Sequence, residues 1–267
     1  MKKTTAICTA LLALVCSISA YAASSGGALD KLNIPAEKTT VAAEPAEKGT
    51  PAPEKQQKKA EKVTSMDLVL ILDKSGSMYG LEKDTIGGFN SMLDKQRESK
   101  LPVKVTAVMF NNAVSTVYDR TDLNKVKNIT VKEYTPQGTT ALLDAVGNTL
   151  SKMKALEDID AKGNKVLVVI TTDGKENASK EWTYAKVKTL ISELQEKNFE
   201  FVFLGANIDA AQTAATIGIK KENAVKYKNT KSGVQANFRA VSAMVEDYAR
   251  TGNMESKDWK KEVEEDK

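Results

Sequence analysis

Asp67-Leu68-Val69-Leu70-Ile71-Leu72-Asp73-Lys74-Ser75-Gly76-Ser77 is the stretch that decides the fold. The residues from Leu68 to Leu72 are large and apolar without interruption, and they lack the alternation of a half-exposed strand. They read as a strand buried on both faces, the kind found in parallel sheets. The run then breaks into a carboxylate and two hydroxyls at alternate positions. Asp73, Ser75 and Ser77 are therefore expected where a buried strand opens into a loop, at the sheet edge where open α/β folds bind ligands. Carboxylate and hydroxyl oxygens are hard donors, suited to Mg²⁺, Mn²⁺ or Ca²⁺.

Working outward, strand and helix patterns alternate. Helical spacing of Ile86, Phe89 and Leu93 predicts a helix over 81–97. Two strands over 103–110 and 113–118 flank Asn111-Asn112, a tight hairpin signal. Leu142, Val146 and Leu150 mark a helix starting near 140, followed by a strand over 166–171. Val187, Leu190, Ile191 and Leu194 mark another helix, followed by a strand over 199–204, a short helix over 209–217 and a short strand over 224–227. Val234, Phe238, Val241, Val245 and Tyr248 predict a last long helix, and the charged stretch after Gly252 is expected to fray. The expected fold class is α/β: a doubly wound, mostly parallel six-stranded sheet with one antiparallel edge strand and helices on both faces.

Two further segments carry oxygen donors: Gln137-Gly138-Thr139-Thr140, just before a helix, and Thr171-Thr172-Asp173-Gly174, at the end of the fourth strand. In a doubly wound sheet the first and fourth strands lie side by side at the switch point, so all three segments can converge. Asp-x-Ser-x-Ser alone is a weak signal, because these are common turn residues. The three segments together resemble a von Willebrand factor type A domain with a metal-ion-dependent adhesion site (MIDAS), a Rossmann-like fold, over about residues 66–252. The segment 171–179 and Phe203-Leu204-Gly205-Ala206-Asn207-Ile208-Asp209 also look like exported bacterial members of that family. The resemblance implies metal ligands Asp73, Ser75, Ser77, Thr140 and Asp173. Thr140 is preferred because Ala145 stands where the family places a small helix residue, with Thr139 as the fallback. It further implies that Ser75 and Ser77 bind Mg²⁺ (or Mn²⁺ or Ca²⁺) directly, that Asp73 and Asp173 act largely through water, and that Thr140 joins when ligand arrives. Three neutral hydroxyls would leave the ion with positive charge to spare, making the site a receptor for an Asp or Glu side chain of a partner protein.

Composition narrows the alternatives. The chain has no histidine, and its two cysteines are Cys8 and Cys16. Lys2 and Lys3, an apolar stretch over 7–20 and Ala20-Tyr21-Ala22 have the layout of a signal peptide cleaved after Ala22, with export to the periplasm or beyond. The mature chain would then lack both Cys and His, which excludes Ser-His-Asp and Cys-His catalysis, Cys/His zinc sites and disulfides. The expected organisation is a signal peptide over 1–22, a disordered Ala/Pro/Lys/Glu-rich linker over 23–64, the domain over 65–252 and a charged tail over 253–267. Removing Lys2 and Lys3 lowers the formal charge of +4 to about +2. Without a clustered basic face no nucleic-acid partner is expected. No segment of the mature chain is long and apolar enough to span a membrane, and a monomer is expected. A metal-dependent, phosphatase-like hydrolase of the cell envelope is the alternative. It is disfavoured by the lack of a general base and by Ser75 standing where such enzymes carry a second Asp. Ser151-Lys152-Met153-Lys154 matches a hydrolase spacing but reads as an exposed helix face, and Asp209 reads as a helix N-cap rather than a second metal ligand.

Overall fold

The computed structural model describes residues 62–265. The expected signal peptide, nearly all of the expected linker and the last two residues lie outside the described residues. Six strands form one sheet in the order β3-β2-β1-β4-β5-β6. They are β1 (Ser65–Asp73), β2 (Val103–Phe110), β3 (Val114–Asp122), β4 (Asn164–Thr172), β5 (Phe199–Gly205) and β6 (Ala224–Lys226). All neighbours are parallel except β2 and β3, so β3 is the antiparallel edge strand. The helices are α1 (Glu82–Gln96), α2 (Leu142–Lys154), α3 (Tyr184–Gln195), α4 (Ala210–Thr216), α5 (Lys231–Thr251) and α6 (Lys261–Glu265).

β1 has both faces covered because its apolar residues alternate between two cores. Leu68, Leu70 and Leu72 pack with Phe89 and Leu93 of α1 and Val241, Val245 and Tyr248 of α5. Val69 and Ile71 pack with Val146 and Leu150 of α2 and Val187 and Ile191 of α3. A continuous apolar run is what a strand between two helical layers requires. On the first face Gly88 lets the Phe238 ring approach the α1 backbone, and Phe238 meets Phe89 edge to face at 6.4 Å. On the second, Trp182 covers Gly147 in the same way. Both aromatic residues thus serve packing. Ser151 and Lys152 are exposed on α2, and Lys152 pairs with Asp119.

Two elements differ from the sequence expectation. β3 runs four residues past Tyr118, because a register slip between Val105 and Val108 of β2 absorbs its polar end. Arg120 takes a positive φ of 41° there, donates its backbone N–H to Thr106 Oγ1 and grips the buried Asp67 carboxylate with two guanidinium nitrogens. The second difference is the stretch after Gly252, which does not fray over residues 253–265. Gly252 closes α5 in the left-handed conformation, with φ of 70°. The chain then turns back and buries Met254, Trp259 and Val263 in the α1/α5 core. Lys257 and Lys260, both half-buried, add hydrogen bonds from their Nζ atoms to Asn223 Oδ1 at 2.8 Å and to the Ala224 carbonyl at 2.9 Å.

The strand order places β1 between β2 and β4, with α1 and α2 leaving on opposite faces. That arrangement opens a crevice beyond the C-terminal ends of β1 and β4.

Candidate metal site

Asp73 is the last residue of β1 and is buried. Its Oδ1 accepts the Ser75 backbone N–H at 2.7 Å, and its Oδ2 accepts the Thr172 hydroxyl at 2.6 Å. The Tyr134 hydroxyl donates to the Asp73 carbonyl at 2.8 Å, bracing the strand end from the β3–α2 connection. Ser75 and Ser77 follow at the start of a single 3₁₀ turn, Gly76–Met78, and their hydroxyls lie 3.0 Å apart. The Ser77 hydroxyl donates to Asp173 Oδ1 at 2.6 Å, and Asn229 Nδ2 donates to Asp173 Oδ2 at 3.0 Å. The β3–α2 connection is laced to the β1 loop by Gly76 N–H on the Gly138 carbonyl and Gln137 N–H on the Lys74 carbonyl. Gly138 takes φ of 73°, a turn that favours glycine.

Gly174 shows how the hydroxyls are aimed. A methyl group on its Cα would lie 3.0 Å from Thr140 Oγ1, 3.6 Å from Ser77 Oγ and 3.9 Å from Ser75 Oγ, its three nearest neighbours. Three hydroxyl oxygens from two loops therefore look onto one small space, with Asp73 and Asp173 behind them. The structure brings Asp73, Ser75, Ser77, Thr140 and Asp173 into one place. Thr140 is buried and contributes its hydroxyl to this cradle, whereas Thr139 is exposed. Asp209 is elsewhere in role: its side chain accepts the Gln212 N–H and caps α4.

The donor set fits a hard divalent cation. Burial raises the pKa of Asp73 above the ordinary carboxylate value, against the lowering hydrogen bonds from Thr172 and Ser75. Burial likewise raises Asp173, against Ser77, its own backbone and Asn229. Among the described residues neither carboxylate has a Lys or Arg partner. Two buried carboxylates without a cation are costly, and a bound cation would offset that cost. No cluster of three or more His, Cys, Asp or Glu side chains occurs among the described residues, so a metal here relies on hydroxyl oxygens. A groove of about 630 Å³ between α1 and α5 is lined by none of the five residues.

A description of the von Willebrand factor type A domain matches residues 67–240, well over half of the sequence. The chain belongs to the von Willebrand factor type A family. Solved structures similar to this von Willebrand factor type A chain include the pilus adhesin SpaC from Lactobacillus rhamnosus GG in an open conformation. It is 15% identical, with 68% of this chain and 30% of that chain covered, at a TM-score of 0.51. Another is proximal thread matrix protein 1 from the mussel byssus with a zinc-occupied MIDAS motif (15% identity, 70% and 47% covered, TM-score 0.49). A third is a von Willebrand factor type A protein from Catenulispora acidiphila (17% identity, 68% and 42% covered, TM-score 0.48). At these identities the likeness shows the fold alone, and this chain spans less than half the length of each of these structures. No curated protein matches the chain.

Four residues of the site went unread in the sequence. Thr172 stands inside the Thr-Thr-Asp-Gly segment, beside a residue that was read. Asn177, whose Oδ1 accepts the Thr140 N–H, also stands within the stretch 171–179. Tyr134 and Asn229 lie 61 and 56 residues from the groups they hold, with no local signal to mark them.

Proposed function

We propose that this chain is an exported protein-binding module that holds a divalent cation and, through it, an acidic side chain of a partner protein. Ser75, Ser77 and Thr140 would supply neutral oxygens, while Asp73 and Asp173 would supply negative charge. Mg²⁺ is the first candidate, with Mn²⁺ or Ca²⁺ as alternatives. When bound, the cation offers a Lewis-acidic position that a carboxylate can fill. The observation that carries the reading is the set of three hydroxyls facing one space at Gly174, backed by two buried carboxylates with no cationic side chain among the described residues. Membership of the von Willebrand factor type A family supports it.

We further propose a domain that starts at residue 65 and takes in residues 253–265, whose apolar side chains pack into its core, preceded by a signal peptide cleaved after Ala22 and a spacer over 23–64, with secretion or periplasmic residence and a monomeric state. Among the described residues no helix is long and apolar enough to cross a membrane. We read the module as non-enzymatic. A screen with generic phosphate and ester substrates should show no turnover, and turnover lost on Ser75→Ala would overturn that part.

Calorimetric titration of Mg²⁺ and Mn²⁺ into the purified chain tests the site, followed by capture of partners from envelope extract with and without EDTA. The expected results are saturable one-to-one metal binding that Ser75→Ala abolishes, and capture that both EDTA and Ser75→Ala remove. Capture indifferent to EDTA would contradict the metal-dependent reading.

A further inference from the structure

Of the five residues brought together, Thr140 alone is not attached to a strand end. Asp73 closes β1, with Ser75 and Ser77 just beyond it, and Asp173 follows β4 directly. Thr140 sits two residues before α2, between Gly138 at positive φ and Ala141, whose φ of −94° and ψ of 63° are neither helical nor extended. The neighbouring Ala141 donates its N–H to the Asn111 carbonyl at 2.8 Å, but no residue of this segment holds Thr140 itself. The residue that does so comes from the β4–α3 loop. Asn177 Oδ1 accepts the Thr140 N–H at 2.9 Å, and the Asn177 N–H donates to the Thr140 carbonyl at 3.0 Å. Both main-chain groups of Thr140 are thus engaged by one residue.

The same loop is sewn to the start of α2, whose N-cap Ala141 has no side-chain acceptor. Glu176 Oε2 takes the Leu143 N–H at 2.9 Å, and Ser179 Oγ takes the Asp144 N–H at 3.0 Å. In return Asp144 accepts the N–H groups of Lys180, Glu181 and Trp182. These contacts join the loop that follows Asp173 to the segment that carries Thr140.

We propose that Asn177 is a positioning residue for the metal site: it sets Thr140 Oγ1 against Gly174 and thereby tunes affinity for a divalent cation. This rests on the metal reading above. Asn177 is exposed and fills no core space, so its removal leaves the fold intact.

Mn²⁺ titration of the full chain in a double-mutant cycle provides the test. Asn177→Ala should weaken Mn²⁺ binding about tenfold, the scale of a lost hydrogen bond to a positioned group. In a Thr140→Ala background the same change should cost nothing further. Asn177→Asp keeps an oxygen for the Thr140 N–H and should restore most of the affinity. In metal-free protein, hydrogen exchange at the Thr140 amide should speed up in Asn177→Ala and stay slow in Asn177→Asp. An Asn177→Ala chain that binds Mn²⁺ like wild type overturns the inference alone, as does an equal loss in both backgrounds. A wild-type chain that takes up no Mn²⁺ overturns the parent reading, and this one with it.

Discussion

At Gly174 a hydrogen stands where any other residue would push a methyl group to 3.0 Å from Thr140 Oγ1. Its φ is not in the left-handed region, so Gly174→Ala strains no backbone. Stability should change by less than about 1 kcal/mol, while Mn²⁺ affinity should fall more than about tenfold, because the methyl fills the space the hydroxyls face. Calorimetry and urea unfolding of one sample separate the two effects. Asp73, Ser75 and Ser77 were legible because they fall within five residues of one another at the end of a run that could only be a buried strand. Thr140 and Asp173 were legible through the family pattern. Tyr134 and Asn229 were not, since a hydroxyl or amide that braces a loop from far away leaves no periodicity behind.

At the scale of elements, α2 is capped from another loop. Its own first residues carry no side-chain cap, and Glu176 supplies acceptors for the Leu143, Ala178 and Ser179 N–H groups and for the Ser179 hydroxyl. Glu176→Ala should therefore cost about 1–2 kcal/mol, the range of a lost helix cap, measured by urea denaturation. Faster hydrogen exchange should be confined to the first turn of α2 and residues 178–179. The apolar stripe of α2 was readable, but its cap was not, because helix signatures look for a local Ser, Thr, Asp or Asn. The hairpin at Asn111-Asn112 was readable for the opposite reason, since its chemistry is local. The length of β3 was missed where Arg120 bends the edge strand to reach Asp67. That guanidinium is the main partner of a carboxylate otherwise held by Asn164. Arg120→Leu should lower stability by about 3 kcal/mol, the cost of leaving a buried charge uncompensated.

At the scale of the whole molecule, the segment after Gly252 belongs to the folded unit. Its charge hid it: Met254, Trp259 and Val263 are scattered among acids and lysines, a pattern without period. Trp259→Ala should cost about 3 kcal/mol and lower the urea midpoint, as expected for a large buried aromatic. Acid stability links the far end of the sheet to the fold. Asp158 is held down at about 2, first by its hydrogen bond from Arg120 and then by Lys104. A carboxylate depressed in the folded state stabilises above its unfolded pKa, and that contribution is lost as pH falls through the folded value. Unfolding free energy should therefore drop between pH about 4 and about 2, and Arg120→Leu should flatten that part of the curve.

The proposed function requires one cation meeting the hydroxyls of Ser75, Ser77 and Thr140. Anomalous diffraction from a manganese-soaked crystal addresses this directly. The expected result is a single strong peak among those three oxygens, beside Gly174. Density absent there, or a peak only at other carboxylates, would contradict it.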